Sequence, residues 1–178
     1  RNMFRKEGDV LQNDDMNKLY ERHSKMVYLF LFRMAGSHEL AEELTQETFY
    51  QAFLSYAHFR GECKASTWLC QIARHVWLQY LRKKKDLYSI EEISIPLTNI
   101  NLFDPLKTYI LKEEKYTFYH MLQKLPNDMR EVVILRITSE LSFAEIGELL
   151  GKSETWARTN FFRAKRKLQE YIKEMERS

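Results

Sequence analysis

Glycine and proline are scarce in this chain of 178 residues, which contains five and three of them. Strand-like alternation of apolar and polar residues is also rare. Because period-2 alternation marks half-buried strands and Gly/Pro clusters mark the turns between them, this scarcity argues against a mainly β protein. A content of 44% hydrophobic and 30% charged residues is too apolar for a disordered chain. The composition therefore predicts an all-α globular protein.

Long apolar runs are missing as well. The longest candidate, Met26–Phe32, is followed at once by Arg33, whereas a membrane span needs about 20 apolar residues. No secretory hydrophobic region with a cleavage site opens the sequence, so we expect a cytoplasmic protein. The only cysteines, Cys63 and Cys70, have no Cys/His cluster that would complete a zinc tetrad. We therefore expect two reduced thiols, no metal and no other cofactor.

Charges of one sign are absent from particular stretches of the chain. Lysine and arginine are missing between Ser37 and Tyr56, aspartate and glutamate are missing between Arg74 and Lys85, and Arg158–Lys167 is again free of acidic residues. The net charge of +3 alone predicts no polyanionic partner. One acidic and two basic stretches on a nearly neutral chain nevertheless predict one protein-binding surface and two polyanion-binding surfaces.

Helical periodicity divides the N-terminal part into three helices. The first covers Met16–Ala35 and ends at Gly36, the second is capped by Ser37 and runs to about Phe59, and the third covers Thr67–Lys83. The core stripe expected on the second helix consists of Leu40, Ala41, Leu44, Thr48, Phe49, Ala52, Phe53 and Tyr56.

The periodicity then fails in an acidic stretch that contains Pro96 and Pro105. Such a stretch between periodic segments is typical of a linker, and it is longer than most connections inside one domain. We assign residues 1–85 to an N-terminal helical bundle, 86–112 to the acidic linker and 113–178 to a C-terminal helical domain. The predicted fold is all-α, with two small helical domains joined by an acidic linker.

The C-terminal domain has the pattern of a helix-turn-helix. We expect helices at Glu113–Lys124 and Asn127–Thr138, a short helix opened by the capping box of Ser142 and Glu145 and ended by Gly151, and a long basic helix from Ser153 to about Glu174. The second helix of such a pair enters a DNA major groove, which is about 12 Å wide. The residues of this helix that we expect to face outward are Ser153, Glu154, Thr155, Arg158, Thr159 and Phe162, with Arg163, Lys165, Arg166 and Lys167 beside them. The alternative is an ordinary solvated basic helix.

The second helix of the N-terminal bundle carries a polar stripe on the side opposite its core stripe. Its members are Glu39, Glu43, Gln46, Glu47 and Tyr50, and we call this set the acidic stripe. Carboxylates around a protruding Tyr suit a partner rich in Arg and Lys, although a solvated face explains the same pattern. No nucleophile or phosphate-loop motif accompanies these carboxylates, so we do not expect an enzyme.

The segment FRGECKASTWLCQIARHVWLQYLRKKK, at Phe59–Lys85, combines aromatic rings with cations. Rings that stack on unpaired bases and cations that follow phosphates are how proteins hold single-stranded nucleic acid. The alternative is that Trp68, Trp77 and Tyr80 belong to the core, and we favour that alternative for Trp68 and Tyr80.

Three segments in this order resemble a known family. They are AEELTQETFYQAF at Ala41–Phe53, the segment at Phe59–Lys85, and LPNDMREVVILRITSELSFAEIGELLGKSETWARTNFFRAKRKL at Leu125–Leu168. Together they resemble the extracytoplasmic-function (ECF) sigma factors of bacterial RNA polymerase, over nearly the whole chain from Met16 to Tyr171. The resemblance implies a transcription initiation factor that binds core RNA polymerase and promoter DNA.

The resemblance also implies a role for each surface. The acidic stripe, and in it Glu43, Gln46 and Glu47, corresponds to the surface that docks on the beta-prime clamp, and the beta flap is a further polymerase contact. The minus-ten element is read and melted by a set that corresponds to Arg60, Glu62, Cys63, Lys64, Ala65, Ser66, Arg74, His75, Gln79, Arg82 and Lys83. The minus-thirty-five element is read by a set that corresponds to Ser153, Glu154, Thr155, Arg158, Thr159, Phe162, Arg163 and Arg166. A cognate anti-sigma factor, in this family often membrane-anchored, is implied as a further partner.

The chain departs from the family pattern at four positions. His75 and Gln79 stand where Asn and Asp are usual, and Trp156 and Asn160 stand where Thr and Arg are common. The promoter sequence cannot therefore be transferred from relatives. The rival interpretation is a dimeric helix-turn-helix regulator whose N-terminal bundle senses a ligand, and such a protein has no reason to carry the acidic stripe.

Overall fold

The computed structural model describes residues 7–59, 61–87 and 118–177, and it places side chains at residues 15–59, 61–85 and 118–177. Every regular element in these ranges is helical. The elements are α1 (Glu7–Ala35), α2 (His38–Ser55), a 3₁₀ turn (Tyr56–His58), α3 (Ala65–Leu87), α4 (residues 118–123), α5 (Asn127–Ser139), α6 (Phe143–Leu150) and α7 (Glu154–Glu176). The all-α prediction, with two small helical domains, is confirmed.

The predicted helix ends are correct where a local cap sets them. Gly36 adopts the left-handed φ of 71° that ends α1, and the Ser37 hydroxyl accepts a hydrogen bond from the Leu40 backbone N–H at 3.3 Å to start α2. The predicted end of the second helix at Phe59 is wrong, because the chain tightens into the 3₁₀ turn after Ser55.

Other helix ends also differ from the prediction. The first helix begins at Glu7 rather than Met16, and the third covers Ala65–Leu87 rather than Thr67–Lys83. Apart from residues 86 and 87, which continue α3, the predicted linker lies outside the described residues, as does the start of the predicted helix at Glu113–Lys124.

Helices α1, α2 and α3 pack into a bundle whose centre is apolar. Val27, Phe30, Leu31 and Leu69 are completely buried, and Thr48 joins them because its hydroxyl donates to the Leu44 carbonyl oxygen at 2.7 Å. The prediction that Phe53 belongs to this core is wrong, because 40% of its surface is exposed. The position lies at the edge of the apolar stripe of α2, where the pattern alone cannot distinguish inside from outside.

Helix α5 is the centre of the C-terminal half. Four consecutive residues, Val132 to Leu135, are buried, so the middle turn of the helix is covered on every side. It packs against α6 and α7 within the C-terminal half and against α1 and α3 of the N-terminal bundle. The two halves of the chain therefore share one continuous apolar core.

Polar contacts follow the same junction. The Cys70 thiol on α3 donates to the Ser139 hydroxyl at 3.0 Å, the Arg33 guanidinium donates to the Thr138 hydroxyl, and the Gln123 amide donates to the Arg33 carbonyl oxygen at 3.4 Å. Burial raises the pKa of the Cys70 thiol to about 11, so the thiol is neutral and unreactive in this position. No helix among the residues with assigned structure is long and apolar enough to cross a lipid bilayer.

The position of α5 leads to a stability prediction. Leu135→Ala removes a side chain that is 0% exposed, and we expect it to lower the free energy of unfolding by about 2–5 kcal/mol. Ile137→Ala on the same helix is the matched control, because Ile137 is 42% exposed and its loss should cost about 0.5 kcal/mol. Urea unfolding followed by circular dichroism measures both variants. Equal losses in the two variants would contradict the placement of α5.

Candidate nucleic-acid and protein-binding surfaces

The acidic stripe lies on the solvent side of α2, opposite the buried Ala41, Leu44 and Phe49. Four of its members are exposed, while Glu47 is half-buried and accepts a hydrogen bond from the Gln51 amide at 2.7 Å. Hydrogen bonding by its own backbone N–H, and then by the Ser37 hydroxyl, lowers the pKa of the Glu39 carboxyl. The predicted stripe is therefore one continuous, negatively charged face.

An apolar patch that the sequence analysis missed continues this face. Tyr50, Phe53 and Leu54 are 57%, 40% and 54% exposed at the C-terminal end of α2. Their spacing of three and four residues places them next to each other on one side of the helix. We call them the apolar end of the stripe. The three- and four-residue spacing from Tyr50 indicates this patch in the sequence. The patch was missed because Phe53 was assigned to the core.

The set predicted to read the minus-ten element is divided in the structure. His75, Gln79, Arg82 and Lys83 are exposed, and they lie along one face of α3 because Gln79 is four residues from both His75 and Lys83 and three residues from Arg82. The His75 Nε2 and Gln79 Nε2 atoms lie 2.8 Å apart in a hydrogen bond. These four residues form a polar and cationic strip that is open to solvent.

Other members of this set precede the strip in the sequence. Glu62, Cys63 and Lys64 are in the loop after Gly61, whereas Ala65 and Ser66, predicted as loop residues, form the first turn of α3. Arg60 lies outside the described residues.

The aromatic rings of this segment support the bundle instead of facing solvent. Trp77 is only 5% exposed and stacks on Tyr80 at 5.8 Å between ring centroids, and Trp68 stacks on Phe59 at 4.5 Å. The core alternative is therefore correct for Trp68 and Tyr80, and it also holds for Trp77. Trp77 lies on the side of α3 that faces the core, whereas Trp68, nine residues earlier, lies on another side of the helix and packs against Tyr56 and Phe59.

Two cations of the same set contact acidic residues of the C-terminal half. The Arg74 Nε atom lies 2.5 Å from the Glu131 Oε1 atom on α5, and the Lys64 Nζ atom lies 3.0 Å from the Glu145 Oε1 atom on α6. The Thr67 hydroxyl also donates to Glu145, at 3.3 Å. Arg74 is half-buried by this contact, so the structure does not present it to solvent in the way that it presents His75.

The helix-turn-helix forms as predicted. The Glu145 carboxylate accepts from the Ser142 backbone N–H at 2.8 Å, and the Ser142 hydroxyl accepts from the Glu145 N–H at 3.2 Å, so the capping box is complete. Gly151 takes a left-handed φ of 65° at the turn, and the Ser153 hydroxyl accepts from the Trp156 N–H at 3.1 Å to start α7.

The solvent face of α7 has a shallow groove. Arg158, Thr159, Phe162, Arg163 and Arg166 line it, and all five belong to the predicted minus-thirty-five set. The other three members, Ser153, Glu154 and Thr155, are exposed at the N-terminal end of the helix.

The Arg158 guanidinium contacts two neighbouring side chains. Its guanidinium lies 2.6 Å from the Glu154 carboxylate and 5.1 Å from the centre of the Phe143 ring. The Arg136 guanidinium lies 5.0 Å from the centre of the same ring, so both guanidinium groups are within cation–π distance of Phe143. The face of α7 that carries Arg158 is exposed, while the residues behind it, Ala157 and Ala164, are fully buried.

A glycine that the sequence analysis did not single out shapes the turn before α7. A Cβ atom at Gly147 would lie 2.9 Å from the Lys152 carbonyl oxygen and from backbone atoms of Ser153. Only glycine lets the turn approach α6 this closely. No local sequence feature indicates this, because the contact depends on the angle between α6 and α7.

Comparison with known proteins assigns the chain to a family. Residues 19–86 match the model of Sigma-70 region 2, and residues 116–168 match that of Sigma-70, region 4. The RNA polymerase sigma factor YlaC of Bacillus subtilis is 34% identical over 88% of this chain and 91% of its own length. The ECF RNA polymerase sigma factor SigM of the same organism is 30% identical over 86% of this chain and 93% of its own. The chain is an ECF sigma factor of the sigma-70 family.

This sigma factor directs promoter recognition and transcription initiation, as its family does, and the family is not one of catalytic enzymes. Solved structures agree on the fold. CnrH, solved in complex with the cytosolic domain of CnrY, matches with a TM-score of 0.69 at 19% identity over 90% of this chain and 89% of its own. RpoE of Bartonella quintana, solved with the anti-sigma factor NepR, matches with a TM-score of 0.69 at 24% identity over 89% and 97%.

The close approach at Gly147 leads to a test of the turn. In the sigma factor, Gly147→Ala forces α6 and α7 apart, and we expect a loss of about 1–3 kcal/mol in the free energy of unfolding. Gly151→Asn is the control, because Asn tolerates the left-handed conformation and nothing lies within 4 Å of a Cβ atom there. Urea unfolding compares the two variants. A Gly147→Ala protein as stable as Gly151→Asn would refute this role for Gly147.

The capping box also makes stability depend on pH. The hydrogen bond from the Ser142 backbone N–H, followed by the contributions of the Ser142 hydroxyl and Lys64, lowers the pKa of Glu145 from 4.5 to about 2. A lowered folded-state pKa stabilises the fold above pH 4.5, and this stabilisation is lost as the pH falls from about 4.5 to about 2. Glu145→Gln keeps a capping-box residue without the titration, so we expect its unfolding free energy to fall less steeply in that window. Glu148→Gln, an exposed change on the same helix, should retain the steep fall, and an unchanged profile for Glu145→Gln would contradict the assignment.

Proposed function

We propose that this sigma factor uses three separate surfaces for one initiation event. The acidic stripe with its apolar end binds core polymerase, the exposed strip of α3 reads the minus-ten element, and the groove of α7 reads the minus-thirty-five element. The observation that carries the proposal is the α7 groove, since five residues that the sequence analysis predicted as minus-thirty-five contacts line it together.

The polymerase surface combines charge with apolar anchors. Exposed carboxylates attract a basic partner and orient it, while Tyr50 and Leu54 supply large apolar area that a partner can bury. This combination suits the basic coiled coil of the beta-prime clamp to which the family's acidic helix docks. We place the beta-flap contact on the C-terminal domain.

The minus-ten surface is polar rather than aromatic. His75 and Gln79 have donor and acceptor groups that pair with base edges, while Arg82 and Lys83 suit phosphates. Because Trp77 is buried, melting relies on the loop after Gly61 and on this strip, with no exposed tryptophan on α3 to stack on a base. The hydrogen bond between His75 and Gln79 orients both side chains, so they act on the DNA as a pair.

The minus-thirty-five surface has separate reading and anchoring parts. Arg158 and Thr159 lie in the first two turns of α7, where a recognition helix points at base edges, and the exposed ring of Phe162 suits a thymine methyl group. Arg163 and Arg166 follow one and two turns later, where the backbone of the duplex passes. They contribute affinity and register more than sequence preference.

Further partners and the place of action follow from the family. A cognate anti-sigma factor would block initiation by covering these surfaces, and membrane anchoring of that factor would couple the sigma factor to an external signal. We place the protein in the cytoplasm, where core polymerase and DNA are found. The domain limits that we assign are residues 1–85 and 113–178, with 86–112 as the acidic linker between them.

Run-off transcription with purified bacterial core polymerase and genomic promoter fragments tests the function. We expect a promoter-specific transcript only when the protein is added. The rival dimeric regulator would give no transcript and would bind a duplex operator tightly as a dimer.

A charge reversal tests the polymerase surface. Glu43→Arg repels a basic partner at the centre of the acidic stripe, and we expect it to weaken core binding about tenfold or more. Glu21→Arg, an equal change on the exposed side of α1, is the matched control and should leave core binding unchanged. Fluorescence anisotropy of the labelled full chain measures both affinities. Equal core affinity for the two variants would remove the polymerase interface from α2.

A further inference from the structure

The Phe143 ring contacts two residues of the minus-thirty-five set, although Phe143 itself belongs to none of the predicted sets. It is the first residue of α6, the helix before α7, and it is half-buried. Its ring centre lies 5.1 Å from the Arg158 guanidinium carbon and 6.4 Å from the centre of the Phe162 ring. The ring therefore joins α6 to the exposed face of α7 at the residue to which we assign base reading.

Contacts from other parts of the C-terminal half fix the Phe143 ring. The Arg136 guanidinium lies 5.0 Å from the ring centre and donates to the Leu141 carbonyl oxygen at 2.5 Å, which ties it to the turn before α6. The Phe161 ring packs against Phe143 at 5.3 Å between ring centroids. None of these neighbours belongs to the minus-thirty-five set. The ring can therefore keep its place while Arg158 changes its contacts.

The contact with Phe143 restricts Arg158 without using up its hydrogen-bond donors. A guanidinium is attracted to the π electrons of a ring through its positive charge, and this attraction takes none of its five N–H groups. The Glu154 carboxylate accepts from Arg158 Nη2 at 2.6 Å, which leaves donors on the other nitrogen atoms. An arginine reads guanine with two donors, on O6 and N7. A side chain already held by the ring loses less conformational freedom when it binds that edge.

We propose that Phe143 is a positioning residue for minus-thirty-five recognition, which holds the Arg158 guanidinium where it reads a guanine edge. The proposal rests on the proposed function, because it deepens the assignment of base reading to Arg158. It adds to the reading surface a residue of α6 that acts through Arg158. A simpler role, apolar packing between α6 and α7, predicts that an aliphatic side chain of similar size replaces the ring without effect on base preference.

Selection from a promoter library tests the proposal with the chain bound to core polymerase. The library is randomised at the minus-thirty-five element, and sequencing of the bound DNA gives the base preference at each position. We expect the wild type to prefer guanine at a position where Arg158→Ala loses that preference. Phe143→Leu should lower the preference at the same position about two- to fivefold, which is the strength of an exposed cation–π contact. Phe143→Tyr keeps the ring and should retain the preference.

Leu149→Ala is the matched control for packing. Leu149 is a half-buried residue of α6 that packs against the core, so its loss should weaken the helix and leave the guanine preference unchanged. A double-mutant cycle adds a second readout. The loss of promoter affinity in Phe143→Leu should be smaller by the same two- to fivefold factor when Arg158→Ala is already present. A guanine preference in Phe143→Leu equal to that in Leu149→Ala, or the same loss of affinity with and without Arg158, would overturn the proposal.

Side-chain NMR of the free chain separates this proposal from the proposed function. The order parameter of the Arg158 Nε–H group measures how firmly the guanidinium is held, and it should fall in Phe143→Leu but not in Phe143→Tyr. If it falls in this way while the wild type selects no minus-thirty-five sequence, Phe143 positions Arg158 and the proposed function is wrong. An unchanged order parameter in a folded Phe143→Leu chain would contradict the positioning, whether or not DNA is selected.

Discussion

Helix α5 is the element on which the arrangement of the whole chain depends. Its four consecutive buried residues, from Val132 to Leu135, surround the middle turn of the helix, so this turn requires neighbours in every direction even though the helix is exposed at Asp128 and Ile137. Helices α6 and α7 cover one part of it, and α1 and α3 cover the rest. The hydrophobic effect therefore joins α7 to the N-terminal bundle through α5, and the surfaces available to partners are those that this packing leaves exposed.

The surfaces left exposed differ in charge, which is why one small chain can serve several partners. The acidic stripe of α2 exposes carboxylates, which suit the basic protein partner that we propose, while α3 and α7 expose cations, which suit DNA. The same segregation makes the chain able to bind itself, because Glu131 and Glu145 of the C-terminal half meet Arg74 and Lys64 of the bundle.

Local chemistry made much of this structure predictable. Gly36, Ser37 and the Ser142 capping box each form their contacts within four residues, so a short stretch of sequence contains the whole signal. The α7 groove was equally accessible, because helical spacing alone decides that Arg158, Phe162 and Arg166 share a face.

Contacts between distant residues were not predictable in this way. Arg74 and Glu131 are far apart in the chain, and nothing near either residue indicates that they meet. Because such contacts cannot be read from the sequence, helical periodicity does not decide whether Trp77 is buried, and it places Phe53 in the core wrongly. Both residues lie at the edges of the apolar stripes of their helices. In these cases the deciding neighbours come from other helices, and only the packing angle between helices reveals them. The constraint at Gly147 was missed for a different reason: its neighbours Lys152 and Ser153 are only five and six residues away, but the course of the turn that brings them close is not evident from the sequence.

The two halves pack together in the structure, and the proposed function requires them to separate when one chain contacts both promoter elements. Single-molecule energy transfer between fluorophores at Gln71 on α3 and Glu170 on α7, attached through non-natural amino acids, measures this most directly. The account predicts one population with a short distance in the free chain, and a loss of transfer in the promoter-bound holoenzyme, as the two elements lie about 85 Å apart. A free chain that already shows the long distance, or a short distance that persists on the promoter, would contradict it.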